Sequence, residues 1–442
     1  MKLSPSVKAR PILAALLHCR LAVGANTTGE DPALRLSPDT TMNFDILTPL
    51  GMAITGGADI GPILGVAKNI IAGDMASFTQ EFYALANYTK AQAENPDNAY
   101  DPVNVRDTWF SAANYFRKAD NYLHGNWGDP RINSLWAEQI AAFDKGIAAL
   151  PIPGERVRIP ATKGNFTVDA IWYAASDNKT AKLPTLVIGN GFDAAQEDSY
   201  HNYVAPALAR GWNCITYEGP GQPTVRRNQN LGFIPEWELV ATPVVDYLFR
   251  EKSHVIDTDR LVLVGNSLGS YLASRAAAFE PRFSALVLID GMWDYFPSYA
   301  NALPAEVFSM FEAGNFTEFD ETIFEYRESG KLSTIAGWGL DQGLWAYYTH
   351  SPSDLFTKVK QYRIQDFVDK IKIPVFVGEG EYDTLYPGQP QQVKDALGDK
   401  ATLHHFTGVA GYHCQTAAGQ ELARAMFAWL NKTLGKARNR HH

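Results

Sequence analysis

The chain has 442 residues, 46% of them hydrophobic, 20% charged and 12% aromatic, and carries a formal net charge of −9. This composition excludes a disordered chain and leaves material for a sizeable core, in one large domain with a further one beside it. An acidic chain without a Lys/Arg run lacks the footprint of a nucleic-acid binder, because phosphate contacts supply most of that affinity. The expected partner is a small molecule, with a homodimer as the candidate assembly.

Residues 1–40 read as a candidate signal peptide followed by a flexible segment. Lys2, Lys8 and Arg10 flank the apolar run 11–17, and Val23-Gly24-Ala25 resembles a cleavage site, while His18, Cys19 and Arg20 interrupt the run. Six Asn-x-Thr sequons (Asn26, Asn87, Asn165, Asn178, Asn315, Asn431) point to a glycoprotein, so secretory and cytoplasmic locations both stay open. The apolar stretch 51–74 is broken by Asp59, Pro62 and Lys68 and is too short to span a membrane.

Residues 41–150 read as helical. Asp107 is the expected cap of a segment carrying Trp109, Phe110, Ala113, Phe116 and Ala119 at helical spacing. Asp129-Pro130 opens a second segment with Leu135, Trp136, Ile140, Phe143 and Ile147. Pro151-Ile152-Pro153-Gly154 marks a boundary, after which two alternating stretches flank a Lys163-Gly164 turn.

Short apolar runs follow at 185–188, 214–217, 261–264, 285–289, 374–377 and 403–406, alternating with helical patterns at 200–210, 234–250, 268–278, 389–397 and 417–434. Such runs suit strands buried on both faces, and the alternation predicts a doubly wound, mostly parallel α/β sheet over 151–292 and 371–436. The aromatic-rich interval 293–370 is too long for one crossover and reads as an inserted helical lid over the carboxyl ends of the strands.

Gly265-Asn266-Ser267-Leu268-Gly269 follows the run 261–264 and opens a helix. That placement is required of a nucleophile elbow, in which small neighbours let a serine occupy a strained turn with its hydroxyl exposed. In this fold, the α/β-hydrolase fold, the acid and the histidine follow the serine in chain order. Asp383 sits in the loop after 374–377, with Asp290, Glu379 and Glu381 as alternatives, and His413 sits in the loop after 403–406. The histidine would take the serine proton and the acid would orient the imidazole.

The backbone N–H groups of Phe192, in Gly189-Asn190-Gly191-Phe192-Asp193, and of Leu268 are the expected oxyanion donors. Cys214 reads as a core thiol and Cys414 as a buried neighbour of His413; three scattered cysteines make neither a disulfide framework nor a zinc site. No metal or nucleotide signature occurs, so no metal or cofactor is expected.

With these pieces together the chain resembles the 2,6-dihydropseudooxynicotine hydrolase-like group and its fungal relatives in secondary-metabolite clusters, among them polyketide-shortening, fusarin-cluster and cytochalasan-cluster hydrolases. The matching pieces are residues 189–193, Tyr217 to Gln222 (YEGPGQ), the Ser267 elbow, EGEYDTLYPGQ from Glu379 and AGYHCQTA from Ala410. The resemblance implies a Ser267–Asp383–His413 triad and cleavage or rearrangement beside a carbonyl, in some members at a carbon–carbon bond. It also implies an acidic residue beyond the triad, for which Asp294 is the candidate. The expected function is a serine hydrolase acting at an ester, lactone, amide or β-dicarbonyl bond of a polyketide or polyketide–peptide intermediate. A secreted esterase or lipase-like enzyme and a non-hydrolytic cyclase are the alternatives, since a fold does not fix a function.

Overall fold

The apolar runs become strands of one sheet because continuous burial on both faces suits parallel pairing better than an amphipathic helix. The protein is described by a computed structural model over residues 32–435; the candidate leader, Cys19 and the Asn26 sequon lie outside the described residues. The strands are β1 (Glu155–Pro160), β2 (Thr167–Tyr173), β3 (Leu183–Gly189), β4 (Asn213–Glu218), β5 (Ile256–Asn266), β6 (Ala285–Ile289), β7 (Val375–Gly380) and β8 (Ala401–Phe406). They form an eight-stranded sheet in the order β1-β2-β4-β3-β5-β6-β7-β8. β1 and β2 pair antiparallel across the expected turn, β2 pairs antiparallel with β4, and the others run parallel. The chain reverses between β4 and β5 around β3, so the carboxyl ends of β3, β5, β6, β7 and β8 open towards one edge, where such sheets bind ligands.

Side chains alternate across each strand, so the sheet feeds two cores. Leu186, Ile188, Val262, Val264 and Phe376 pack with Phe110, Phe143 and Met426 from the helices Pro102–Asp120, Arg131–Ala148 and Gly419–Gly435. Val187, Leu263, Leu286 and Leu288 face Val244 and Tyr271 from the helices Glu238–Glu251 and Gly269–Phe279. Each fully buried aliphatic or aromatic side chain of this kind contributes roughly 1.5–3 kcal/mol.

Two helices depart from the spacing-based expectation. The one read as capped by Asp107 starts at Pro102, because Asp101 accepts hydrogen bonds from Val103 N and Asn104 N and the proline takes the first turn. Its second half, Trp109–Asp120, is buried on every side instead of along one stripe. The pattern at 200–210 opens as a π-turn, Tyr200–Val204, before a short α-turn, Ala205–Leu208. Pro206 lies in the first turn of that α-segment and has no N–H for a regular ladder, and Ala205 N reaches Tyr200 O instead.

Between β6 and β7 run the helices Phe296–Ala300, Ala305–Glu312, Phe316–Glu328, Thr334–Ala346 and Pro352–Val359. Phe296, Phe311, Phe319 and Phe356 give this insertion its own aromatic core, with the ring of Phe356 5.2 Å from Phe319 and 5.4 Å from Phe311. The five sequons among the described residues are all on exposed asparagines. Among the described residues no helix is long and apolar enough to cross a membrane.

The N-terminal helices are tied to the sheet domain partly through a buried histidine. His201 Nδ1 lies 3.1 Å from Thr55 Oγ1, and its ring stands edge-on to Phe110 at 5.2 Å. Burial holds its pKa down at about 3, against an ordinary 6.5. Between those values the unfolded chain binds a proton that the folded chain refuses, so stability falls as pH drops from 6.5 towards 3, by about 1.4 kcal/mol per pH unit for one such group. His201→Gln is expected to flatten the dependence of Tm on pH across this window by one proton's worth, measured by differential scanning calorimetry.

Candidate active site

Parallel strands β5, β6, β7 and β8 end side by side, and each delivers one polar group to the same place. β5 runs into the elbow, where Ser267 adopts a left-handed φ of 56° and its N–H donates to Ile289 O at 3.1 Å. This conformation is costly for a non-glycine residue and persists only where the surroundings over-determine it. They do so here: a Cβ on Gly265 would lie 2.1 Å from Gly269 O, and one on Gly269 would lie 2.7 Å from Asn190 O. The helix Gly269–Phe279 starts immediately afterwards, so the Leu268 N–H belongs to a helix start that lacks intrahelical acceptors.

The loops after β7 and β8 bring Asp383 and His413 to Ser267. His413 Nε2 is 2.9 Å from Ser267 Oγ, and His413 Nδ1 is 2.9 Å from Asp383 Oδ2. Asp383 is itself oriented by Leu385 N, which donates to Oδ1 at 2.8 Å. Glu379 and Glu381 turn away: Glu379 meets His405 Nδ1 at 3.0 Å, and Glu381 accepts from Gly408 N at 2.9 Å.

The other alternative acid does reach the imidazole. Asp290, which closes β6 with a left-handed φ of 57°, places Oδ2 3.2 Å from His413 Nδ1. Asp294, the candidate extra acid, accepts at Oδ1 from Phe296 N at 2.9 Å, and its backbone bridges to Arg363.

The electrostatics follow from burial. Burial opposes charge on His413, but Asp383 and Asp290 outweigh it and hold the imidazole well above its ordinary pKa. Burial, then the charge of Asp383, raises the Asp290 carboxyl. Burial pushes the Cys414 thiol up to about 11, so it stays protonated at neutral pH and is a poor nucleophile. Asp290, His413 and Cys414 bring ligand atoms within 4.8 Å of one another. His413 already spends both ring nitrogens on Ser267 and the carboxylates, however, and a protonated thiol is a weak metal ligand.

Sequence patterns alone give no role to Tyr386, although it lies inside EGEYDTLYPGQ. Its hydroxyl is 3.4 Å from Ser267 Oγ and its ring stands edge-on to His413 at 5.4 Å. Burial keeps the phenol protonated well above neutral pH, so it can donate to the serine oxygen.

The role of YEGPGQ also emerges only in three dimensions. Gln222 Oε1 accepts from Gly219 N at 2.9 Å, and its Nε2 donates to Asn190 O at 2.8 Å and Gly191 O at 3.4 Å. Glu218, pushed up to about 8 by burial and by Glu197, accepts from Gln196 N and Thr224 N at 2.9 and 2.7 Å. The motif therefore fastens the loop 189–193 against the elbow. Two further elements hold the same loop: Arg117 Nη2 donates to Asp193 O at 2.8 Å, and Gln342 Nε2 donates to Phe192 O at 3.4 Å.

Comparison with known proteins bears on the family and the fold. A family model described as the alpha/beta hydrolase family matches residues 186–425. The chain belongs to the α/β hydrolase family. It is a hydrolase, similar to Hydrolase LUC6 of Fusarium sp, with 31% identity over 420 residues covering 92% of this chain and 99% of the relative. It is also similar to 20-hydroxy-prefusarin hydrolase FUS2 of Gibberella moniliformis, 28% identical over 412 residues, covering 90% and 97% of the two chains. In fold it matches the crystal structure of 2,6-dihydroxy-pseudo-oxynicotine hydrolase with a TM-score of 0.67 at 19% identity, covering 87% of this chain and 95% of that one.

The contact between loop and elbow leaves no room at Gly191, where a Cβ would lie 2.8 Å from Asn266 O and 3.1 Å from Leu268 N. Gly191→Ala must push the loop 189–193 off the elbow. Were the N–H groups of Phe192 and Leu268 the oxyanion donors that the sequence predicts, loss of one would cost about a hundredfold or more in rate. Gly191→Ala is expected to slow fluorophosphonate labelling by about a hundredfold with an unchanged far-ultraviolet circular dichroism spectrum.

Proposed function

We propose that the chain is a serine hydrolase in which Ser267 attacks a substrate carbonyl. His413 Nε2 takes the serine proton as the Oγ–C bond forms, and Asp383 stabilises the imidazolium at Nδ1. The negative charge that develops on the carbonyl oxygen meets the N–H groups of Leu268 and Phe192. Collapse of the tetrahedral intermediate expels the leaving group, which receives the proton from His413. Water then cleaves the acyl–serine by the same steps in reverse roles. The observation that carries this reading is the series Ser267 Oγ–His413 Nε2–His413 Nδ1–Asp383 Oδ2, with 2.9 Å at each hydrogen bond.

The substrate class follows from what surrounds the serine. Rings run outward from it: Tyr386 to Tyr295 at 6.4 Å, Tyr295 to Phe192 at 6.0 Å and to Tyr299 at 5.5 Å, and Phe192 to Trp338 at 5.8 Å. Trp338 and Gln342 belong to the insertion between β6 and β7, which acts in this reading as a lid over the carboxyl ends of the strands. An aromatic surrounding of this kind favours a bulky apolar acyl group. Together with the similarity to 20-hydroxy-prefusarin hydrolase, this supports a polyketide or polyketide–peptide carbonyl compound of fungal secondary metabolism as the substrate.

A fluorophosphonate is expected to label the wild-type protein, and Ser267→Ala and His413→Ala are expected to abolish labelling. With a polyketide-derived ester or β-dicarbonyl compound, mass spectrometry should find products that together exceed the substrate by one water. Full turnover by Ser267→Ala would overturn the covalent mechanism, and an isomeric product would indicate cyclisation in place of hydrolysis.

A further inference from the structure

The imidazole of His413 faces carboxylates from two different strand ends. Asp383 comes from the loop after β7 and Asp290 from the end of β6, and their Oδ2 atoms lie 2.9 and 3.2 Å from the same ring nitrogen, Nδ1. Asp290 has no solvent exposure. Its carboxylate accepts from the backbone N–H of Cys414 and, at 3.0 Å, from Gln415 Nε2, so it grips the residues that follow His413 on the same loop. Its own backbone is left-handed, a strained conformation for a non-glycine residue that the fold nevertheless maintains beside the imidazole.

We propose that Asp290 is a second positioning carboxylate for His413, which holds Nδ1 together with Asp383 and suffices to orient the ring when Asp383 is removed. This inference rests on the reading of Ser267 and His413 given above.

Charge balance shows how two acids serve one base. Two ionised carboxylates at hydrogen-bond range would hold the ring as imidazolium, and Nε2 could not then accept the serine proton. Burial, then the charge of Asp383, works against charge on the Asp290 carboxyl, so the two acids do not bear on the ring as two full charges. The other titratable groups facing this cluster are the Cys414 thiol and the Tyr203 and Tyr386 phenols, all kept neutral by burial. Removing Asp383 removes one of the two influences that disfavour charge on Asp290; burial, the larger, stays, and the N–H groups of Cys414 and Gln415 that donate to the carboxylate favour its charged form. Asp290 is then the carboxyl left at Nδ1 to stabilise the imidazolium.

The test uses the rate of fluorophosphonate labelling of the full chain and the downfield proton resonance of His413 Nδ1. Loss of the orienting acid from a one-acid triad costs about ten-thousandfold. Asp383→Ala is expected to label on the order of a hundredfold more slowly than wild type and to retain the Nδ1 resonance. Adding Asp290→Asn should remove the resonance and lower labelling to the level of His413→Ala. Asp383→Ala labelling no faster than His413→Ala, without the resonance, would overturn the proposal. If the double variant does not fold, the resonance in Asp383→Ala alone decides. Absence of labelling in wild type, or labelling of Ser267→Ala, would instead sink the serine-hydrolase reading itself.

Discussion

The close approach of the loop 189–193 to the turn around Ser267 is the constraint on which the rest of the site depends. Gly269 has no space for a Cβ because Asn190 O would be 2.7 Å away, and Gly191 has none because Asn266 O would be 2.8 Å away. Two backbone segments in such contact form a surface of fixed dipoles. In the proposed mechanism a surface of this kind stabilises developing charge without reorganising at the moment of reaction. The position of the loop is therefore a chemical parameter, and the protein fixes it with hydrogen bonds to its carbonyls from three directions. Gln222 reaches it from the turn after β4, Arg117 from the N-terminal helices and Gln342 from the insertion.

Buried charge marks the same region. Arg117 is almost wholly buried and meets Asp193 and Asp198, while Lys118 lies 3.8 Å from Asp45, whose carboxylate also accepts from Asn121 at 3.2 Å. Buried ions of this kind add little net stability over apolar residues of the same size, but breaking one leaves an unpaired charge and is strongly unfavourable. Their effect here is specificity of position. The helix Pro102–Asp120 cannot slide or rotate on the sheet without exposing Arg117 and Lys118 to groups that do not match them.

Much of this arrangement was legible in the sequence, for identifiable reasons. Strands buried on both faces must be continuous apolar runs, so 185–188, 214–217, 261–264 and 285–289 each fall inside an observed strand. The order of serine, acid and histidine depends only on which strand precedes each loop, and Ser267, Asp383 and His413 do meet in space. The choice between Asp383 and Asp290 could not be made from spacing, because both follow parallel strands that end side by side, and in the structure both reach His413. Tyr386, Gln222 and Arg117 were not legible as parts of the site, since each acts through a partner far away in the chain. The helix start at Pro102 was readable, because Asp101-Pro102 is a stronger local signal than Asp107.

The three-sided grip on the loop 189–193 also bears on how such enzymes can be rebuilt. Under the proposed function, exchange of the insertion between β6 and β7 is a route to a new acyl specificity, because its Trp338 ring packs on Phe192 beside the elbow. That insertion also supplies Gln342 to the carbonyl of Phe192, so a transplanted segment carries a share of the catalytic alignment with it. The N-terminal helices are bound in the same way through Arg117. In the proposed mechanism substrate choice and reaction rate are thus written on the same pieces of chain, and a chimera that alters one should be designed as if it alters both.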